Sequence, residues 1–180
     1  MYVKNLLNRE FEQFTPYTYA STDITYLRHK NIFSFLSVVK DLATGEIMTW
    51  KLSKEMNLKL VLETIDNLEK YFKKSNLKLN NLLLHSDQGF QYTNLVYYEK
   101  LKRLGITQSM SRRGNSVDNA PIESFFGHMK DEIDYKNLDF DELKELIDSH
   151  MVEYNYKRKQ WGRKRLAPVH YRNYLLNFVV

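Results

Sequence analysis

Three acids in this chain stand where carboxylates could share a metal ion. Asp23 lies inside the run STDITYL, Asp87 in HSDQG at the end of an apolar run, and Glu123 in DNAPIESFF near the start of an amphipathic segment. Hard divalent cations such as Mg²⁺ take oxygen ligands, keep several waters, and need one or two carboxylates each before a phosphate completes the shell. Two such ions about 4 Å apart can activate a water or a 3′-hydroxyl and stabilise the leaving oxygen of an in-line phosphoryl displacement. The plain alternative is a strand-edge acid, a turn aspartate and a glutamate that favours a helix N-terminus. Three acids among 22 do not by themselves choose between the two readings.

The elements that must position them follow from periodicity and punctuation. Residues 20–28 are rich in β-branched and aromatic types and predict a strand with Asp23 and Thr25 on one face, Ile24 and Tyr26 on the other. Residues 32–42 and 46–52, separated by Thr44-Gly45, predict a hairpin. Between 54 and 74, Leu58, Val61, Leu62, Ile65, Leu68 and Phe72 recur at helical spacing. Residues 80–85 read as a short buried strand with Asp87 in the turn at its tip, followed by a helix from Asn94 to a stop at Gly105 and a last strand at 106–110. A basic turn, 111–115, leads to a helix near 118–131, with Asp118 or Asn119 as its cap and Pro121 in its first turn. A final helix spans about 140–157. Asp23 is thus expected at the centre of a strand, Asp87 at a strand tip and Glu123 beside a buried helical stripe.

Composition bounds the class. With 180 residues, 43% hydrophobic, only 6 Gly and 3 Pro, the chain suits one folded domain. It has no cysteine, which excludes disulfides and thiolate metal sites and fits a reducing cytoplasm. No apolar run has signal-peptide or membrane-spanning character. The net charge of +5 is uneven: seven of the 27 basic residues fall in 154–180, which holds no acid, so the preceding chain carries 20 cations against 22 acids. This basic stretch is interleaved with Tyr154, Tyr156, Trp161, Tyr171 and Tyr174, the composition of a nucleic-acid contact as well as of a solvated helix end.

The segments TDITYL, HSDQGFQYT, SMSRRGNSVDNAPIESFFGHMKDE and LAPVHYRNYL resemble the catalytic domain of bacterial insertion-sequence transposases of the IS-three family (orfB type), within the DDE transposase and retroviral integrase superfamily. The likeness runs from about residue 8 to 176. In that family the acids are the aspartate of the first strand, the aspartate of the HSD motif and a glutamate further on; Asp23, Asp87 and Glu123 hold those places, with 35 residues between the last two. The resemblance implies an α/β, RNase H-like fold: a five-stranded mixed sheet with strands 1–3 antiparallel, flanked by helices. It implies that the three acids are catalytic and hold Mg²⁺ or Mn²⁺, two ions, for DNA cleavage and strand transfer. It also implies DNA as partner, a homo-oligomer on DNA, an upstream-frame DNA-binding protein, and a bacterial cytoplasm with nucleoid association. The expected division is a lead-in at 1–18 ending a missing upstream region, an integrase-type core at 19–155 and a basic C-terminal tail at 156–180. The alternative is an inactive, truncated DNA-binding or assembly module of the same fold.

For DNA contact the candidates are Gln88 and Tyr92 beside Asp87, Arg112, Arg113 and Asn115 in the basic turn, and Lys157, Arg158, Lys159, Arg163, Lys164 and Arg165 in the tail. His85 reads as a satisfied core histidine or one that supports a site residue from behind, and His128 as a surface one, neither a ligand. Neutralising the six tail cations is expected to flatten the salt dependence of DNA binding, because each phosphate contact releases counterions. Affinity measured against salt concentration tests this, and an unchanged slope removes the tail from the interface.

Overall fold

The β-branched run around Asp23 is the central strand. In the computed structural model, which describes residues 2–10, 12, 15–112 and 116–178, Tyr19–His29 forms β1, Ile32–Asp41 β2 and Ile47–Ser53 β3. β1 and β2 pair antiparallel with Asp23 opposite Val38, and β2 pairs antiparallel with β3 through a register shift at Val39/Lys40. Leu83–Ser86 (β4) joins β1 in parallel, and Thr107–Met110 (β5) joins β4 in parallel, giving a five-stranded sheet in the order β3-β2-β1-β4-β5. The expected mixed sheet with three antiparallel leading strands is present.

Helices cover both faces because alternation along the strands sends apolar side chains to both sides. On one face Leu58–Lys74 (α1) lays Val61, Ile65, Leu68 and Phe72 against Ala20, Val39 and Leu84. Tyr97 and Leu101 of Leu95–Arg103 (α3), which follows the single-turn helix Phe90–Thr93 (α2), join the same cluster. On the other face Ala120–Glu132 (α4) contributes Ile122, Phe125, Phe126 and Met129, and Phe140–Tyr156 (α5) contributes Leu143, Ile147, Met151 and Tyr154. These meet Leu27, Leu36, Val38 and Ile47 of the sheet. Each fully buried Leu, Ile or Phe adds about 1.5–3 kcal/mol. Among the described residues no helix is long and apolar enough to cross a membrane.

Local chemistry explains where the boundaries depart from the pattern. The helix expected from 54 starts at Leu58, because the Asn57 side chain accepts the Leu60 N–H and so caps it there. The strand expected at 80–85 is shifted: Leu79–Asn81 is a 3-10 turn and pairing begins at Leu83. α5 is held at its start by a capping box between Asp139 and Glu142, which the sequence reading did not use.

Two ends of the chain fold onto this frame. In the lead-in, Leu7 is 1% exposed, and the N–H groups of Leu6 and Leu7 donate to Ser109 Oγ of β5. The lead-in thus covers the outer strand. Within 156–180, Trp161–Arg163 is a 3-10 turn and Pro168–Phe178 a helix (α6). From α6, Arg172 Nη1 reaches both oxygens of buried Glu46 at 2.7 and 2.8 Å, and Tyr71 of α1 donates to the same carboxylate at 2.8 Å. Breaking one partner of such a buried pair strands the other charge.

Among the described residues, Lys40 is a cation buried without a carboxylate partner. Lys40, inside the apolar run of β2, is 9% exposed; its ammonium donates to the Pro121 carbonyl at 2.9 Å and lies 5.7 Å from the Phe125 ring centre. Burial, with the neighbouring Arg163 cation adding to it, lowers its pKa to about 7. The unfolded chain, with an ordinary lysine near 10.4, then binds more protons than the folded one between those values. Stability is expected to rise as pH increases from about 7 towards 10, and Lys40→Met to flatten that rise. Urea midpoints across this range test it; parallel pH profiles for the two proteins would contradict the assignment.

Candidate active site

The parallel pairing of β1 with β4 sets Ser21 opposite His85. Two residues further on stand Asp23, within β1, and Asp87, just past the end of β4, close enough for the Asp87 charge to act on Asp23. Asp23 is half-buried, and its Oδ1 accepts the N–H of Ile24 at 2.7 Å. Asp87 Oδ1 accepts the Gly89 N–H at 2.8 Å, closing a turn at the strand tip. A Cβ at Gly89 would come 2.9 Å from that carboxylate oxygen, so glycine permits the close approach. Glu123 is an exposed residue in the first turn of α4, the helix that packs across β1.

Electrostatics tie the three together. Burial raises the Asp23 carboxyl to about 7, with the negative charge of Asp87 and then that of Glu123 adding to it. Among the described residues no three His, Cys, Asp or Glu side chains form a ready-made metal cage. The donor set nevertheless fits a hard divalent ion: the three groups are oxygen donors, and a half-buried carboxylate with two acidic neighbours lacks the positive charge that a cation would supply.

The surroundings are polar, and their groups divide between bonded and unpartnered ones. His85 is fully buried, with Nδ1 2.9 Å from Ser109 Oγ and Nε2 3.2 Å from Ser111 Oγ, and burial pushes it down to about 4. It is neutral and structural. Asp118 is not the helix cap expected from its position. Its enclosed carboxylate accepts from the Arg112 N–H and guanidinium at 2.9–3.0 Å, from Arg9 Nε at 2.6 Å and from Asn5 Nδ2 at 3.0 Å. Arg112 and Arg9 hold it well below the usual carboxylate range. Asn119 occupies the cap position without a capping bond, 2% exposed and with both side-chain polar atoms unpartnered.

The candidate DNA contacts divide. Tyr92 is 2% exposed and packs edge-on against Tyr97 at 5.4 Å, so it belongs to the core and offers DNA no surface. Gln88 is half-buried and donates to the Ser111 carbonyl at 3.0 Å. Arg112 spends its guanidinium on Asp118 while keeping an exposed flank. Arg113 and Asn115 lie outside the described residues. Lys157, Lys159, Lys164 and Arg165 are exposed, whereas Arg158 and Arg163 are half-buried, Arg158 paired with Glu132. The sequence reading missed the Asp118 hub and the buried Lys40; a lone lysine within an apolar strand was the available signal for the latter. Asp118→Asn is expected to loosen the lead-in, raising amide exchange at Leu6 and Leu7 while α1 stays protected. Unchanged exchange at those amides would show that the hub does not hold the segment.

A family model described as integrase core domain matches residues 15–116, and a second of the same description matches 104–168. The chain is 37% identical over 177 residues to an uncharacterized transposase-like protein of Haemophilus influenzae, covering 96% of this chain and 79% of that one. It is 38% identical over 171 residues to the putative transposase InsK for insertion sequence element IS150 of Escherichia coli, covering 94% and 59%. Among solved structures, the HTLV-2 integrase catalytic core domain in complex with magnesium (trimeric form) superposes with a TM-score of 0.65 at 14% identity, over 88% of this chain and 97% of that one. That likeness concerns the fold, which is RNase H-like. The chain belongs to the integrase core domain family and, within it, to the transposases of bacterial insertion sequences.

Proposed function

We propose that this chain is the catalytic core of an insertion-sequence transposase that cleaves DNA at an element end and transfers the freed strand by in-line phosphoryl transfer. The observation that carries the reading is the β1–β4 register, which sets Asp23 beside Asp87 under the helix that bears Glu123. In this reading the three carboxylates hold Mg²⁺ or Mn²⁺, which when bound sharpens a water or 3′-hydroxyl as nucleophile and stabilises the leaving oxygen.

The protein's own groups supply position. The sheet fixes the two aspartates, the Gly89 N–H orients the Asp87 carboxylate, and the core packing of α4 through Ile122 and Phe126 fixes the helix that carries Glu123. Such positioning is most of what a protein contributes to phosphoryl transfer. DNA is the substrate in this reading, and a homo-oligomer on DNA its working state. The exposed cations of 157–165, Gln88 and the free flank of Arg112 are the contacts we assign to the DNA backbone, where phosphate contacts fix register rather than sequence.

Asp87→Asn removes one negative oxygen ligand while keeping size and the turn hydrogen bond. It is expected to lower strand cleavage and strand transfer on element-end DNA with Mg²⁺ by at least about 10²-fold, the scale seen when a group acting on transition-state charge is lost. Equal activity in the variant and the wild type would sink the catalytic assignment.

A further inference from the structure

A cleft of about 470 Å³ opens between α4, the end of α5 and the basic loop after it. It is separate from the acids. Its α4 lining is the stripe Pro121, Ser124, Phe125, His128, Met129 and Glu132, and at 3.6 residues per turn Glu123 falls on the opposite flank from the middle of that stripe.

The interior of the cleft is built for negative charge. Lys40 and Arg163 both line it, and both make their hydrogen bonds to neutral acceptors: Lys40 to the Pro121 carbonyl, Arg163 to the Gln160 side chain and the Leu42 carbonyl. Arg163 Nε and His150 Nε2 are buried there without a hydrogen-bond partner. Glu132 is the acid among the described lining residues, and Arg158 already pairs with it. Unpartnered buried polar atoms and cations that hydrogen-bond to neutral acceptors, gathered in one cavity, suit an anion with several acceptor oxygens; the enclosed Asp41, behind the lining, is the acid that feels the Arg163 charge.

The rim is built for a flat ring. Trp161 is 80% exposed, and the Arg165 guanidinium lies 4.2 Å from its ring centre, which leaves the other face to solvent. The loop that presents it is closed by the Gln160–Leu166 bridge and by the Arg165 N–H donating to the Gln160 carbonyl at 3.1 Å. It holds Lys164 and Arg165 in consecutive left-handed conformations, φ 53° and 59°. Strain of this kind persists only where surrounding contacts enforce it, and it gathers at ligand clamps. Gly45, at φ 73°, lets Arg163 lie against its backbone, since a Cβ would come 2.9 Å from the guanidinium carbon.

A phosphate-seeking interior beside an open aromatic face matches a nucleotide. A base inside a duplex has both faces stacked, so only an unpaired one can settle on Trp161. We propose that this cleft binds an unpaired nucleotide of a DNA strand, with its base stacked on Trp161 and its phosphate held by Lys40 and Arg163. The proposal deepens the reading of the chain as a DNA-processing core and rests on it.

The test uses the full chain without divalent metal, so that no cleavage step enters. Trp50→Phe leaves Trp161 as the sole tryptophan of the two in the chain. A short single-stranded oligothymidylate is expected to quench Trp161 fluorescence to saturation, while inorganic phosphate does so only at far higher concentration. Trp161→Ala, made in the wild-type chain at an exposed site that does not endanger folding, is expected to weaken single-strand binding about tenfold, as loss of base stacking does, and to leave blunt-duplex binding unchanged. Arg163→Gln should weaken the single strand as well. Absence of quenching, or wild-type affinity in Trp161→Ala, overturns the proposal. Phosphate quenching as effectively as the oligonucleotide, or an equal loss for duplex, also overturns it, leaving an anion site or a general basic surface. Because the acids take no part, a failed Asp87→Asn test with intact oligonucleotide binding would reject the catalytic reading alone.

Discussion

Everything at the acidic site depends on the parallel pairing of β1 with β4. The Ser21–His85 register places Asp23 and Asp87 next to each other at the point where β4 ends and the chain turns away. A slip of one residue in either strand would send one aspartate to the opposite face, since side chains alternate. The register is strongly specified because the same strands bury Ala20 and Leu84 in the core on the α1 face. The core is therefore what aligns the acids. Glu123 depends on the other layer, where Ile122, Phe125 and Phe126 key α4 onto the sheet and turn the neighbouring residue outward.

Charge is distributed by the same architecture. Acids gather where β1, β4 and α4 meet, while cations line the opposite flank of α4 and the loop after α5. The two regions share one helix and face apart, so α4 serves as a partition between carboxylates suited to a cation and lysines and arginines suited to an anion. Between them the fold tolerates buried charge in two ways. Glu46 and Arg172 are paired and further bonded by Tyr71, whereas Lys40 has a carbonyl and the face of the Phe125 ring. A buried cation left so thinly compensated is a feature that stability alone would not favour.

The lead-in segment and the turn before α4 are joined through one carboxylate. Asp118 collects Asn5, Arg9 and Arg112, so a residue immediately before the Glu123 helix also fastens the strap that covers the edge of β5. An open outer strand would be a site for unwanted pairing. Closing it and steadying the start of α4 are here one interaction.

Much of this was legible in the residues. The alternation around Asp23, the hairpin at Thr44-Gly45 and the stripe of α1 pointed to the sheet and its flanking helices, because these signals are local and repeat at 2 or 3.6 residues, whereas the three acids were singled out only by the family resemblance. What the chain alone could not decide were partnerships between residues far apart. Asp118 looked like a cap because capping is the commonest local use of an aspartate before a helix; the arginine more than a hundred residues earlier that claims it is visible only when folded. Tyr92 looked available beside Asp87 because adjacency says nothing of depth, and the structure buries it against Tyr97. The residues after 156 read as a charged tail since composition carries no topology, yet Arg172 crosses to Glu46 and Arg163 lies on Gly45. Period and type belong to the sequence; burial and the choice of partner belong to the tertiary structure, because only packing sets which charges lose their water and must find another group.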